Sequence, residues 1–325
     1  MTPILEVSDL RTYFHGKDGV VPAVDGVSFS LEAGKTLGVV GESGCGKSIT
    51  ALSILQLLPM RSARIEPGSS IRLRGEELLN KTPRQMCQIR GNDVAMIFQD
   101  PMTSLNPVMT VGRQLSEAFL AHEKLSRREA WRRSVDILAQ VGIPAPEARA
   151  RDYPHQLSGG MKQRVMIAMA LSCKPAVLIA DEPTTALDVT IQAQILDLMT
   201  QLKQQMNTAI LLITHDMGVV AEMSDAVLVM YAGHVMEYAD IKSLFQNPLH
   251  PYTQGLLASI PRLDQEVDRL HTIKGSVPSL TDMPAGCRFC TRCPYAQDRC
   301  RSAQPGAYSV DGHLVKCFLY EGGRA

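Results

Sequence analysis

The chain has 325 residues, enough for one large domain or two smaller ones, and its 33 basic residues balance 33 acidic residues. This balance gives no sign of a polyanion-binding protein, so we expect no nucleic-acid partner. No apolar stretch reaches the roughly 18 residues that a membrane-spanning helix needs. The opening residues, MTPILEVSDL, lack the charged-then-apolar layout of a signal peptide, so we expect a cytosolic protein, in which structural disulfides are rare.

The first motif lies in residues 36–48, which read TLGVVGESGCGKS. An apolar strand leads into a match to the pattern G-x-x-x-x-G-K-S/T, and a helical apolar period follows. Such a glycine-rich turn points backbone N–H groups at phosphate oxygens, and the next helix adds its positive N-terminal end. We therefore predict a site for nucleotide phosphates and Mg²⁺, in which Lys47 reaches the β- and γ-phosphates and the Ser48 hydroxyl binds Mg²⁺. The nucleotide-contacting residues predicted here are Gly41, Ser43, Gly44, Cys45, Gly46, Lys47, Ser48 and Ile49.

Polar residues follow three further apolar strands. VAMIFQ ends at Gln99, AVLIADEP carries Asp181 and Glu182, and AILLITHD carries His215. Because ligands of open α/β sheets bind beyond the carboxyl ends of the strands, we expect these side chains at one edge. Asp181 is predicted to bind Mg²⁺, directly or through water, and Glu182 to act as general base on an attacking water. A lone histidine is more often structural, so only its place at a strand end favours His215 as a residue near the γ-phosphate.

A second anion site is predicted in DYPHQLSGGMKQR, residues 152–164. Ser158, Gly159 and Gly160 precede a helical apolar period from Met161 to Ser172. A serine and two glycines at a helix start can cap the helix and leave N–H groups for an anion. Since one chain has one triphosphate to bind, we interpret this site as one that completes the nucleotide site of a second chain.

Together these motifs resemble the ABC ATPase family. The resemblance covers about residues 1–240 and is carried, in order, by the phosphate loop, Gln99, LSGGM, Asp181-Glu182, Ala186-Leu187-Asp188 and His215. It implies an α/β fold with a RecA-like core, a small antiparallel N-terminal β subdomain, and a helical subdomain at about residues 100–170. Residues 241–325 would then form a separate C-terminal extension that is rich in cysteine.

The resemblance also implies roles for individual residues. ATP bound by one subunit would be clasped by Ser158 and Gly160 of a second ABC ATPase subunit in a head-to-tail dimer, with Asp188 at the seam. An aromatic ring would stack on adenine, and spacing favours Phe14 over Tyr13. Gln99 would contribute to the Mg²⁺ site and connect the nucleotide to a membrane partner.

Other classes of phosphate-loop protein fit less well. A DNA-repair member would need a long coiled coil, a translation member two ATPase halves, and a GTPase an N-K-x-D motif, which residues 80–83 do not complete. Four segments closely resemble ATP-binding subunits of dipeptide, oligopeptide and nickel importers: QDPMTSLNP (99–107), YPHQLSGGM (153–161), DEPTTALDVTIQAQI (181–195) and HPYTQGLL (250–257).

This importer resemblance implies an ATPase that energises peptide import. It would lie peripherally on the cytoplasmic face of the inner membrane, docked on two transmembrane permease subunits and linked indirectly to an extracytoplasmic solute-binding protein. Its ATPase partner would be an identical or a homologous chain. Nickel or another small solute is the alternative cargo, and a soluble regulatory ATPase is the alternative from another class.

The extension contains CRFCTRCPYAQDRC, and Cys317 follows. Such a segment has few core-like runs, so a metal could take the place of a core. The C-x₂-C spacing is typical of zinc sites, and C-x₂-C-x₂-C before proline matches part of a ferredoxin run. The importer resemblance implies a 4Fe–4S cluster on Cys287, Cys293, Cys300 and Cys317, with Cys290 as a spare thiol; zinc and free thiols remain the alternatives.

Three cysteines lie outside this cluster. Cys45 is in the phosphate loop at a helix N-terminus, which predicts a lowered thiol pKa and a block of nucleotide binding by alkylating agents. Cys87 and Cys173 are most simply small apolar fillers.

Overall fold

The computed structural model describes residues 3–16, 19–59, 61–100, 104–185, 187–260, 272–279 and 282–322. It divides into two compact units: a first unit of residues 1–4, 31–35 and 80–212, and a second unit of residues 5–30, 36–79 and 213–325. The second unit contains both the phosphate loop and the C-terminal extension. The boundary predicted at residue 240 separates the ATPase domain from the extension. It is not the division between these two units, and it stays a prediction.

The strands are β1 (Leu5–Gly16), β2 (Gly19–Leu31), β3 (Thr36–Val40), β4 (Ala63–Ile65), β5 (Ser70–Leu73), β6 (Glu76–Glu77), β7 (Val94–Ile97), β8 (Val177–Asp181), β9 (Ala209–Ile213), β10 (Ala226–Tyr231), β11 (His234–Asp240), β12 (Tyr308–Val310) and β13 (His313–Val315). The helices are α1 (Lys47–Ile54), α2 (Pro83–Ile89), α3 (Val111–His122), α4 (Arg127–Gln140), α5 (Pro146–Arg149), α6 (Gly159–Leu171), α7 (Val189–Met206), α8 (Met217–Met223), α9 (Ile241–Gln246), α10 (Pro251–Ala258) and α11 (Asp298–Ser302). None of the helices in the described ranges combines the length and the hydropathy of a membrane span.

The second unit contains the small N-terminal sheet. Strand β1 pairs antiparallel with both β4 and β5, β5 pairs antiparallel with β6, and β2 lies beside β1. Residues of β1 alternate between the two faces, with Leu10 and Thr12 buried and Arg11 between them more exposed. This period of two is the pattern of an antiparallel sheet with one face against a core.

The second unit also holds a run of five strands in the order β12-β13-β11-β10-β3. All five residues of β3 are buried, as their apolar run predicts, and β3 pairs parallel with β10, which aligns Leu37 with Ala226. Strand β11 turns back antiparallel to β10, and β13 of the extension pairs with β11. The extension therefore continues the strand pairing that supports the phosphate loop.

The extension buries aromatic side chains in a core that it shares with β10. Tyr252 of α10 and Phe289 are almost completely buried against Tyr231 of β10. Their ring centroids lie 4.7 Å (Tyr231–Tyr252), 5.2 Å (Tyr231–Phe289) and 5.3 Å (Tyr252–Phe289) apart. Each such pair contributes roughly 0.5–1.5 kcal/mol beyond the burial of its area. The sequence pattern missed this core because the aromatic residues are far apart in the chain.

The first unit contains β9, β8 and β7 as neighbouring strands in that order. Strand β7 pairs parallel with β8, so that Ile97 lies beside Ala180. Helices α3 and α4 pack together, and the buried hydroxyls of Ser116 and Ser134 lie 3.0 Å apart. Helices α3 to α6 fall at about the residues predicted for the helical subdomain. The exact limits of that subdomain stay a prediction.

A buried histidine begins α10. The backbone N–H of Tyr252 donates to Nδ1 of His250 (3.0 Å), and the backbone N–H of His250 donates to the Glu237 carboxylate (2.9 Å), which also contacts His313 Nδ1 (2.7 Å). Burial lowers the pKa of His250 to about 3, against a weaker opposing effect from a backbone hydrogen bond with Lys316. The ring therefore stays neutral, which keeps Nδ1 available as the acceptor that caps the helix.

We expect the free energy of unfolding to fall below about pH 6.5 because of His250. The unfolded chain binds the proton near pH 6.5, whereas the folded chain resists it until about pH 3, so the stabilisation is complete above this window and is lost as pH falls through it. This one group accounts for a loss of about 1.4 kcal/mol between pH 7.5 and 5.5. Urea unfolding at both pH values measures it. His250→Asn keeps a helix cap without a titrating ring and should show a correspondingly smaller loss; equal losses would contradict the assignment.

Candidate functional site

The phosphate loop joins β3 to α1 in the second unit, and its backbone admits only glycine at two positions. Gly41 has φ +155° and a Cβ there would lie 2.1 Å from the Met230 carbonyl oxygen. Gly46 has φ +102° and a Cβ there would lie 2.6 Å from the Ala23 carbonyl oxygen. Glycine is therefore required at both positions by the lack of space as well as by the positive φ.

The Lys47 ammonium is held by the loop's own backbone. Its Nζ donates to the carbonyl oxygens of Gly41 (2.7 Å) and Glu42 (3.1 Å), and the residue is only 6% exposed. Ser43 and Gly44 at the loop tip are exposed, and Ser48 and Ile49 are half-buried. A desolvated ammonium beside a glycine-rich turn and a helix start is suited to bind a phosphate group.

Cys45 differs from its prediction. Its thiol is buried, with the residue 1% exposed, and burial raises its pKa although nearby Lys47 acts in the opposite direction. The expected lowering by the helix N-terminus fails because desolvation of the thiolate outweighs it. The Cys45 side chain therefore packs inside the loop. Cys87 is also corrected: it is exposed on α2 and is no core filler.

In the first unit the structure brings Gln99 and Glu182 together. Gln99 Nε2 donates to Glu182 Oε2 (2.9 Å), and the Thr185 hydroxyl donates to the same oxygen (3.0 Å). Glu182 has φ +48°, a left-handed conformation that is uncommon for a non-glycine residue and costs roughly 1–3 kcal/mol. The preceding Asp181 is buried at the end of β8. The carboxylate of Glu182 is thus oriented by two side chains and by an unusual backbone.

Ser158 and Asp188 each cap a helix of the first unit. Ser158 Oγ accepts from the Met161 N–H (3.3 Å) at the start of α6, and Asp188 Oδ1 accepts from the Ile191 N–H (2.9 Å) in α7. The two helix starts are close, since a Cβ on Gly160 would lie 3.0 Å from Ile191 Cγ2. Ser158, Gly159 and Asp188 are exposed. These residues are accessible to a second chain, and their role toward one stays a prediction.

The remaining predicted nucleotide contacts lie in the second unit. His215 follows β9 and is exposed, so its position beyond a strand end agrees with the pattern that predicted it. The Tyr13 hydroxyl donates to Asp25 Oδ1 (2.8 Å), and burial, reinforced by this bond, raises the pKa of Tyr13 to about 12. Phe14 is half-buried on the other face of β1, and the preference for it over Tyr13 as the ring that stacks on adenine stays a prediction.

The five cysteines of the extension line one small cavity, together with His250 and Phe289: Cys287, Cys290, Cys293, Cys300 and Cys317. Burial raises the pKa of Cys287 to about 12 and of Cys293 to about 11, so these two thiols are protonated at neutral pH. Within the described ranges, no group of three or more His, Cys, Asp or Glu side chains is arranged to hold a metal ion. The cavity thus brings together the four predicted ligands and the spare thiol, but the described side chains are not arranged as a metal site.

Sequence reasoning missed the residues of the extension that hold the loop and β2. Arg292 contacts the Glu42 carboxylate, and Arg288 contacts Asp25 (2.6 Å). Both arginines lie between cysteines of the extension, and the spacing patterns of that segment concern only the thiols. No local pattern could have identified their partners, since more than 240 residues separate the members of each pair.

Comparisons with known proteins agree along the chain. The family described as ABC transporter matches residues 24–185, and the family described as oligopeptide/dipeptide transporter, C-terminal region, matches residues 236–300. The oligopeptide transport ATP-binding protein AppD of Bacillus subtilis is 55% identical over 99% of this chain and 98% of its own length. The oligopeptide transport ATP-binding protein OppD of Salmonella typhimurium is 52% identical over 97% of this chain and 93% of its own. Among solved structures, an ADP- and phosphate-bound dimer of the ATP-binding cassette MJ0796 is 22% identical and covers 73% of this chain and 98% of its own, with a TM-score of 0.65 that supports the fold alone.

The burial of Cys45 predicts resistance to alkylation. Treatment of the native protein with iodoacetamide should leave Cys45 unmodified and nucleotide binding intact, because the thiol is both inaccessible and protonated. Peptide mass spectrometry gives the modified fraction at each cysteine. Exposed Cys87 is the internal control and should react under the same conditions. Modification of Cys45 as rapid as that of Cys87 would contradict the burial.

Proposed function

The chain belongs to the ATP-binding subunits of oligopeptide-type ABC importers, and on that premise we propose that its ATP hydrolysis powers peptide uptake through separate membrane-spanning subunits. The observation that carries the proposal is the match along nearly the whole chain with peptide-transport ATPases, including the region after residue 236. Oligopeptides or dipeptides are the proposed cargo, and nickel or another small solute is the alternative.

We assign the nucleotide-binding roles to the predicted residues. The ammonium of Lys47 and the backbone N–H groups of the loop bind the triphosphate, and Phe14 stacks on the adenine. Ser48 and Asp181 offer a hydroxyl and a carboxylate, the oxygen donors that Mg²⁺ prefers, so they fit this ion as ligands, with Gln99 as a further contributor. Mg²⁺ when bound neutralises phosphate charge. His215 is assigned a position within reach of the γ-phosphate.

Glu182 is the proposed general base. It accepts a proton from the water whose oxygen attacks the γ-phosphorus, while the bond to the β-phosphate oxygen breaks and ADP leaves. Support comes from the two hydrogen bonds that orient its carboxylate and from its left-handed backbone. We propose that the segment after residue 99 contacts the membrane subunits. The hydrogen bond from Gln99 to Glu182 then connects the nucleotide site to that segment.

The proposed assembly is a head-to-tail pair of ATPase subunits on the cytoplasmic face of the inner membrane. Ser158, Gly159 and Gly160 of one subunit complete the ATP site of the other, with Asp188 at the seam. The exposure of Ser158, Gly159 and Asp188 supports this arrangement. Two permease subunits and, indirectly, a solute-binding protein complete the importer.

Replacement of the general base tests the proposal. In the complete importer, Glu182→Gln should keep ATP binding while ATP hydrolysis and the uptake of a labelled oligopeptide both fall roughly 10²- to 10⁴-fold, because the amide cannot accept the proton. Phosphate release and uptake into vesicles measure the two activities. Glu147→Gln, at an exposed acid on α5, is the matched control and should retain both. Normal hydrolysis in Glu182→Gln would contradict the role, and uptake of nickel in place of peptide would overturn the cargo.

We also propose that the cysteine cavity holds a 4Fe–4S cluster on Cys287, Cys293, Cys300 and Cys317, with zinc as the alternative. Support comes from the donor set: these thiols and Cys290 line one cavity with apolar neighbours, and thiolates are the usual cluster ligands. The raised pKa values of Cys287 and Cys293 mean that loading must displace thiol protons. A bound cluster would hold together a loop-rich segment.

Metal analysis of anaerobically purified protein tests the cluster. We expect iron and acid-labile sulfide in the native chain, a loss of both in Cys293→Ser, and their retention in Cys290→Ser, because Cys290 is the spare thiol. Cys87→Ser controls for the removal of one thiol elsewhere. Zinc without iron would establish the alternative, and a chain free of both metals would refute the proposal.

A further inference from the structure

The carboxylate and the backbone N–H of Glu42, the acidic residue of the phosphate loop, are both bonded by side chains from the extension. The backbone N–H of Glu42 donates to the Tyr252 hydroxyl (2.9 Å). Its carboxylate receives Arg292 Nη1 at 2.9 Å on Oε2 and 3.1 Å on Oε1. Tyr252 and Arg292 both come from the region after residue 240, so this region contacts the loop that is proposed to bind the phosphates.

A ring contact and several hydrogen bonds hold the Arg292 side chain in place. It is only 5% exposed, and its guanidinium carbon lies 5.7 Å from the centroid of the Tyr231 ring. Its other nitrogens donate to the carbonyl oxygens of Lys274 (3.1 Å, from Nε) and Ile273 (3.2 Å, from Nη2). A guanidinium held by planar, directed bonds cannot follow Glu42 if the loop moves, so it fixes the position of this carboxylate.

Tyr252 fixes the backbone of the same residue. It is completely buried, in contact with the rings of Tyr231 and Phe289, and so presents its hydroxyl from a rigid core. Because the Glu42 N–H is occupied by Tyr252, phosphate binding falls to the later N–H groups of the loop. The carboxylate and the N–H of Glu42 are thus both bonded to the extension, while its carbonyl oxygen accepts from Lys47 within the loop.

The charge of Glu42 gives this contact a consequence for the nucleotide. A carboxylate in a phosphate loop repels the triphosphate, and the repulsion is strong where water is partly excluded. We propose that Arg292 is a positioning residue for ATP: by pairing with Glu42 it removes this repulsion and holds the loop in its binding conformation, so that the C-terminal extension sets the ATP affinity. The inference rests on the proposed function, since it requires ATP to bind at this loop.

Nucleotide binding by the full-length chain tests the inference. Arg292→Met should raise the Kd for ATP on the order of tenfold, because the side chain keeps its volume but loses its charge. Arg292→Lys should stay within roughly threefold of the native Kd, since the charge remains without the fork of donors. Arg299→Met is the matched control: it removes an arginine of the extension that pairs with Glu321, away from the loop, and should leave Kd unchanged.

A second-site change separates charge neutralisation from a general loss of structure. Glu42→Gln in the Arg292→Met background should restore most of the ATP affinity, because no unpaired carboxylate is left, whereas a merely structural role would leave the double variant as weak as the single one. A fluorescent ATP analogue gives Kd, and steady-state hydrolysis should show a rise in KM with little change in kcat. Equal Kd values in native protein and Arg292→Met, or no recovery in the double variant, would overturn the inference. A native chain that fails to bind ATP would instead contradict the proposed function.

Should Arg292→Met not fold, Glu42→Gln alone still tests the idea. With Arg292 present and its partner neutral, the ATP Kd should fall or stay constant, and its dependence on salt should steepen because no carboxylate now neutralises the charge of Arg292. A Kd raised tenfold by Glu42→Gln would overturn the inference, since it would make the carboxylate itself a requirement for ATP binding.

Discussion

The proposed function of the second unit depends on the hydrogen bonds of one buried group, the Lys47 ammonium. It is held by carbonyl oxygens of the loop, and this requires a backbone that turns sharply at Gly41 and Gly46, where neighbouring carbonyl oxygens leave no room for a Cβ. Strand β3 fixes one end of the loop and α1 the other. Rigid elements on both sides keep the donors in place before any ligand arrives, which reduces the reorganisation that binding would otherwise require.

The extension is built into this unit by two arginines that lie among its cysteines. Arg288 pairs with Asp25, which also contacts His234, and the pKa of Asp25 is lowered through these bonds, with that from His234 the largest effect. Arg292 pairs with Glu42. Both guanidinium groups are almost fully desolvated, and a buried charge that loses its partner is strongly destabilising. The turn that carries the thiols is therefore anchored by ion pairs as well as by the aromatic core.

Sequence reasoning succeeded where the signal is local. The strands before the loop, at 94–97, at 177–181 and at 209–213, are apolar runs, and the structure confirms them as strands. It failed where a residue's environment comes from distant segments. Cys45 has the sequence context of an activated thiol, yet packing buries it and raises its pKa. The extension has few core-like runs, yet its Tyr252 and Phe289 join a buried cluster around Tyr231.

The sequence by itself determined the phosphate loop, the strand ends that carry acids and amides, the capped helix start at Ser158 and the family. These features depend on glycine, on capping residues and on short apolar periods, all of which act within a few residues of the chain. Only the tertiary structure decided that Gln99 orients Glu182, that five thiols share one cavity, and that Arg292 and Tyr252 hold Glu42. The pairing of Arg292 with Glu42 joins positions 250 residues apart, and whether such contacts form depends on the packing of the whole unit.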